Sequence, residues 1–119
     1  MKKTLPYSTL RRQLLADRAN AIAYLNAEIE EGDMRYLRKA IRNVVAANGG
    51  MGALAKATGL SRTSLYKTLS DTGNPEFSTL SEILAVYGIR LGVFPMTDYA
   101  RRQAARQGHY SHHSHHPHP

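Results

Sequence analysis

The sequence predicts an all-α domain of five helices, with a helical extension before it and a short strand after it. Apolar residues recur at spacings of three and four over most of the chain, and residues 54–70 have the spacing of a helix-turn-helix. With 119 residues, the chain can bury one sizeable core but not two. We therefore expect an N-terminal extension over 1–17, the folded domain over 18–95 and a basic, His-rich disordered tail over 96–119.

Three helices are predicted before the helix-turn-helix. Ser8 can cap the first of them, which is short, and the second covers residues 18–31. Gly32 is expected to end the second helix and Asp33 to cap the third, which runs to residue 48. The apolar positions that indicate these helices are Leu10 and Leu14, then Ile22, Leu25 and Ile29, then Leu37, Ile41, Val44 and Val45.

The helix-turn-helix is predicted over residues 54–70, LAKATGLSRTSLYKTLS. Gly59 stands where a tight turn needs a residue that accepts positive φ, and Ser61 can cap the second helix. Leu65 and Leu69 lie four residues apart and would anchor that helix to the core. The alternative is an ordinary helical hairpin whose glycine falls at this place by chance. The residues left on the outer face are Arg62, Thr63, Ser64, Tyr66 and Lys67.

The chain after residue 70 is predicted as a loop, a helix and a strand. Turn-forming residues fill 71–75, and the last helix begins at Ser78 and ends at Gly88. Residues 89–94 alternate loosely between apolar and other residues before Pro95, which indicates a short strand. A single strand would leave an exposed edge, so it would either pair with the same strand of a second subunit or pack as an extended tail.

Positive charge is concentrated around the predicted helix-turn-helix. Residues 34–67 contain seven Lys and Arg and no Asp or Glu, which equals the net charge of +7 of the whole chain. A basic block at such a motif is expected of a protein that contacts phosphates. The alternative for residues 35–42 is a solvated basic helix face.

Other features limit the possible functions. The chain has no Cys, and no apolar run approaches the ~20 residues of a membrane helix, so we expect a cytoplasmic protein without membrane contact. The six His residues lie in the tail, where no folded scaffold would fix a metal site. Acidic residues at 28–33 are accompanied by no nucleophile or buried base. We therefore expect no enzyme, no cofactor and no bound metal.

Residues from about 19 to 95 resemble the addiction-module antidote proteins, which are small antitoxins with an Xre-type helix-turn-helix. The resemblance implies a five-helix domain of the lambda-repressor type that binds operator DNA, represses its own operon and binds a RelE-like toxin. In place of the acidic, aromatic N-terminal segment of the family, this chain has a basic one at 5–18. Met51 stands where the family often has a Gln that contacts a phosphate. The matching blocks are AIAYLNAEIEEGD at 21–33, LAKATGLSRTSLYKTLS at 54–70, GNPEFSTLSEILAVYGIRL at 73–91 and VFP at 93–95.

The position of each residue in the motif implies its role on DNA. Arg62 could donate two hydrogen bonds to guanine, and Thr63 offers a hydroxyl and a methyl group to thymine. Tyr66 either contacts DNA or packs its ring along its own helix. The phosphate-binding candidates are Ser61, Ser64, Lys67 and Lys56.

The sequence therefore predicts a dimeric, operator-binding repressor that is also an antitoxin. One alternative is a stand-alone phage- or plasmid-type repressor without a toxin. Another, from a different class, is a protein-interaction or metal-binding adaptor.

Overall fold

In the computed structural model, residues 6–96 are described, and this part of the chain is entirely helical outside its turns and loops. The fold class predicted from the apolar periodicity is therefore confirmed as all-α. Our predictions for residues 1–5 and for the tail beyond residue 96, with its six His, lie outside the described residues. The helices are α1 Tyr7–Leu15, α2 Arg18–Glu31, α3 Met34–Ala47, α4 Gly50–Thr58, α5 Arg62–Thr68 and α6 Phe77–Val86.

Capping residues mark both ends of α2 and the start of α3. The carboxylates of Asp17 and Asp33 accept hydrogen bonds of 2.8 and 2.9 Å from the backbone N–H two residues further on. Gly32 ends α2 with φ of 81°, a left-handed conformation that few other residues adopt. α1 begins directly after Pro6, so Ser8 lies inside the helix and the prediction that it caps α1 is wrong. The fixed φ of proline suits the start of a helix without a side-chain cap.

α3 lies at the centre of the helix packing. It contacts α1, α2 and α4, and α4 in turn contacts α5 and α6. α1 belongs to the same core as the rest, because Leu15 is buried in it. The other buried residues of the core are Ala21, Leu25, Ala40, Ile41, Val44, Val45, Met51, Leu54, Leu65, Leu69, Leu80, Ile83 and Leu84.

The apolar stripe predicted on α2 is only partly buried. Leu25 lies in the core, but Ile22 and Ile29 keep 38% and 43% of their surface exposed. The buried line of the helix instead runs through Ala21 and Leu25, which are one turn apart. A small side chain at Ala21 permits close packing of α2, and this leaves the two isoleucines on a neighbouring face.

The predicted C-terminal strand is not present, because residues 89–94 have no regular secondary structure. The described residues contain no second strand to pair with this segment. The backbone N–H of Ile89 instead donates to the carbonyl of Leu84 at 3.0 Å, which helps to close the end of α6. Ile89 and Leu91 pack against the core, whereas Val93 and Phe94 are 97% and 83% exposed. Pairing of this segment with a second subunit stays a prediction.

Within residues 6–96, none of the helices is both long and apolar enough to cross a membrane.

Candidate nucleic-acid interface

The turn between α4 and α5 has the geometry that the sequence predicts. Gly59 has φ of 78°, and its backbone N–H donates to the carbonyl of Ala55 at 2.9 Å. The hydroxyl of Thr58 accepts a hydrogen bond from the N–H of Leu60 and donates one to the carbonyl of Leu54. The turn therefore closes α4 with satisfied backbone groups, and the packing of Leu60 on the core fixes the point from which the chain enters α5.

Ser61 caps the N-terminus of α5, as predicted. Its backbone is extended, and its hydroxyl oxygen accepts a 3.0 Å hydrogen bond from the N–H of Ser64. Leu65 and Leu69 have no exposed surface, so one side of α5 is entirely committed to the core. The burial of these leucines therefore determines which side of α5 faces solvent.

The seven residues predicted to contact DNA are all exposed at their positions on α4 and α5. Tyr66 keeps 54% of its surface accessible, so it is not packed away as a core residue. The hydroxyl of Ser61 accepts the capping bond and can still donate its own proton. The surface formed by these seven residues is called the α5 face below; its members are Lys56, Ser61, Arg62, Thr63, Ser64, Tyr66 and Lys67.

Arg62 lies over the start of α4. A Cβ placed on Gly52 would be 3.9 Å from the central carbon of its guanidinium, so the glycine leaves ordinary van der Waals room for the arginine. Met51, the neighbour of Gly52, is 8% exposed and belongs to the core. Its side chain therefore cannot make the phosphate contact that its position in the resembled family would suggest.

The basic block of residues 34–67 divides into two groups. Lys39 and the three basic residues of the α5 face are exposed, and no hydrogen bond or ion pair of their side chains is observed within residues 6–96. Arg35 pairs with Asp33 at 3.0 Å, and this hydrogen-bonded pair lowers the pKa of the Asp33 carboxyl. The second group also contains Arg38 and Arg42, whose guanidinium groups donate hydrogen bonds to other parts of the protein.

Arg38 and Arg42 hold the C-terminal end of α5. The buried Arg38 donates to the carbonyl oxygens of Ser70, at 2.7 Å, and Asp71. Arg42 donates to the carbonyl oxygen of Leu69 and to the carboxylate of Asp71, the latter at 3.1 Å. We name this set of contacts the arginine clamp.

The arginine clamp is not predicted by the charge pattern, which indicates a basic surface over residues 35–42. A signal was present in the spacing. Arg38 lies three residues before Ile41 and seven before Val45, so a helical repeat puts it on the same face as these two core residues. A charged residue on that face needs hydrogen-bond partners, and the carbonyls at the end of α5 supply them.

Comparison with known proteins identifies a matching family. A family model described as "probable addiction module antidote protein" matches residues 10–95. The match includes most of α1 and all of α2 to α6.

A curated relative comes from Haemophilus influenzae (strain Rd), where it is described as an uncharacterized protein. It is 33% identical over 70 residues, which are 59% of this chain and 71% of the relative. No solved structure matches the chain.

Proposed function

The chain belongs to the addiction module antidote family, and on that premise we propose that it is an Xre-type, DNA-binding antitoxin. In this proposal it represses its own operon and neutralises a RelE-like toxin encoded beside it. Family membership implies a partner toxin in general and suggests a regulatory rather than a catalytic protein. DNA binding, autorepression and the type of toxin are the further parts of the proposal.

The exposed α5 face is the observation that carries the DNA-binding proposal. Leu65 and Leu69 are completely buried, whereas Lys67 on the opposite side of α5 and Arg62 in its first turn, over the start of α4, remain exposed. The charge of Lys56 at the end of α4 adds to the same basic surface. A short helix that presents basic and hydroxyl side chains from a capped N-terminus suits the major groove of a duplex.

We assign the contacts according to side-chain chemistry. Arg62 donates to guanine and Thr63 contacts a thymine or another base edge, because both stand in the first turn of α5. Tyr66 is placed one turn later, where its exposed ring and hydroxyl can meet the duplex. The phosphate contacts are assigned to Ser61, Ser64, Lys67 and Lys56.

We further propose that the repressor is a homodimer whose folded unit is residues 18–95 together with α1 of the 1–17 extension, which packs into the core through Leu15, and that 96–119 is a tail. The exposed Val93 and Phe94 supply an apolar surface for a second copy. Two α5 helices related by a two-fold axis would read half-sites about 34–36 Å apart, which is one turn of the duplex.

The toxin is assigned to the outer side of the two N-terminal helices. The α1 residues Leu10 and Leu14 are 44% and 52% exposed, and the α2 residues Ile22 and Ile29 are also open to solvent. These helices pack against α3, whereas α5 packs against α4. Separate surfaces would allow the toxin to bind while the α5 face remains on DNA.

The test is footprinting on the DNA upstream of the protein's own gene, with a random duplex of equal length as the control. We expect protection of two half-sites about one duplex turn apart, and an affinity that falls as salt increases. Equal affinity for the upstream and random duplexes would contradict the repressor assignment.

A second arm of the experiment addresses the toxin. We expect the protein to bind and neutralise the product of the neighbouring gene. Sequence-specific DNA binding without neutralisation would instead support the stand-alone repressor. The absence of duplex binding at any salt concentration would support the adaptor.

A further inference from the structure

The C-terminal end of α5 is built from contacts that come from elsewhere in the chain. α5 has seven residues, so it has less than two full turns and few internal hydrogen bonds. The last carbonyls of any helix also lack partners within the helix. An isolated helix of this length would not hold a defined direction, so other elements must fix its end.

The arginine clamp fixes the backbone directly after α5 from the neighbouring part of α3. Three of its four hydrogen bonds go to the carbonyls of residues 69–71, which directly follow the helix. Positive charge at this end also complements the negative end of the helix dipole. Arg38 and Arg42 are one turn apart on α3, so both guanidinium groups reach the same short stretch of backbone.

The returning loop packs closely against this stretch at Gly73. A Cβ at Gly73 would lie 2.3 Å from the carbonyl oxygen of Thr68 and 2.7 Å from that of Lys67. A side chain at residue 73 would therefore clash with the backbone at the end of α5. Small rotations of α5 would require the clamp, the loop and the core leucines to move together.

We infer that Arg38 and Arg42 are positioning residues for DNA recognition: they fix the orientation of the α5 face relative to α3 and do not contact the duplex. This inference rests on the proposed function. It divides the basic residues of 34–67 into those whose side chains contact DNA and those whose side chains hold α5 in place. Hydrogen bonds to bases tolerate little displacement, whereas electrostatic attraction to phosphates tolerates more. A loosened α5 therefore loses sequence specificity before it loses general affinity for DNA.

The decisive variant is Arg42→Gln, because Arg42 is partly exposed and its loss should not prevent folding. The matched control is Lys39→Gln, which removes one positive charge from the exposed side of the same helix. A third variant, Arg42→Lys, restores the charge but cannot replace the two-pronged geometry of the guanidinium group. Each variant is first checked for an intact cooperative melting transition.

The measurement is the ratio of affinities for the upstream duplex and a random duplex at one salt concentration. Arg42→Gln should lower this ratio by about tenfold, as expected for lost hydrogen bonds to a charged group. Hydrogen exchange should accelerate at the amides of residues 66–70 and stay unchanged in α3. Lys39→Gln should weaken both duplexes alike, and Arg42→Lys should not restore the ratio.

Two results would overturn the inference. One is an unchanged ratio with unchanged exchange in folded Arg42→Gln, and the other is full recovery in Arg42→Lys, which would make charge alone responsible. Failure of the wild-type protein to prefer the upstream duplex would contradict the proposed function instead. That outcome would appear in the wild-type measurement before any variant is compared.

Discussion

Gly59 shows how one residue determines the path of the chain into the candidate site. Its φ of 78° lies in the left-handed region, where side chains with a Cβ are strained. No atom lies within 4 Å of the position that a Cβ would occupy there. The requirement for glycine is therefore one of backbone conformation and not of space.

We expect Gly59→Val to lower the free energy of unfolding by about 1–3 kcal/mol, because a β-branched residue is poorly accommodated at positive φ. Gly59→Asn is the control, since asparagine enters the left-handed region more readily than other residues. Thermal melting of the two variants should give a clear loss of stability for valine and a smaller one for asparagine. Equal melting temperatures for wild type and Gly59→Val would contradict the turn geometry.

At the scale of the element, α5 is a helix with two chemically different sides. Leu65 is completely buried, whereas Thr63 and Tyr66 are exposed on other faces and Arg62 is exposed in the first turn, over the start of α4. The capping bond of Ser61 fixes the first turn at one end, and the arginine clamp fixes the last turn at the other. The helix is thus fixed at its first turn, at its last turn and by its buried leucine, and most of its remaining surface is exposed to solvent.

We predict that Arg62→Ala and Thr63→Ala each cost about 1–3 kcal/mol on the upstream duplex and relax the sequence preference. Lys56→Ala should weaken binding to every duplex and make the salt dependence shallower, as expected for a phosphate contact. Binding titrations at several salt concentrations, with upstream and random duplexes, measure both effects. An equal loss on the two duplexes for Arg62→Ala would show that it does not read bases.

At the scale of the whole molecule, α3 separates the surfaces proposed for the two partners. α1 and α2 pack on it, and its arginine clamp reaches the end of α5. Leu15 makes α1 part of the core, so deleting the N-terminal helices would damage the fold together with any docking surface. Substitution of exposed side chains is therefore the cleaner test of toxin binding.

Leu10→Glu and Leu14→Glu should each weaken toxin binding about tenfold or more, because a charge replaces an apolar contact in the proposed interface. Gln13→Glu is the control, since it adds the same charge at an exposed position of α1 without removing an apolar side chain. Binding of the purified toxin and of the upstream duplex should be measured for each variant. Normal toxin binding by both leucine variants would exclude this surface.

The sequence by itself determined the features that depend on neighbouring residues. Gly32 and Asp33 marked the boundary between α2 and α3, and Gly59 and Ser61 marked the turn and the cap before α5. Such signals can be read locally because a positive φ or a capped N–H involves residues only a few positions apart. The order of the matching blocks likewise indicated the antidote family, to which the chain belongs. The contacts of the α5 face with DNA stay a prediction.

Only the tertiary structure decided which residues of similar type are buried or hydrogen-bonded within the fold. The spacing puts Arg38 on the core face of α3, but only the packed structure shows that Arg38 and Arg42 bind backbone about 30 residues away, at 69–71. Ile22 is exposed although it fits an apolar stripe, and residues 89–94 form no strand although they alternate. In each case the outcome depends on which distant element packs alongside. Periodicity gives the faces of an element, whereas its partners and the rotation that buries one face arise only when the helices pack together.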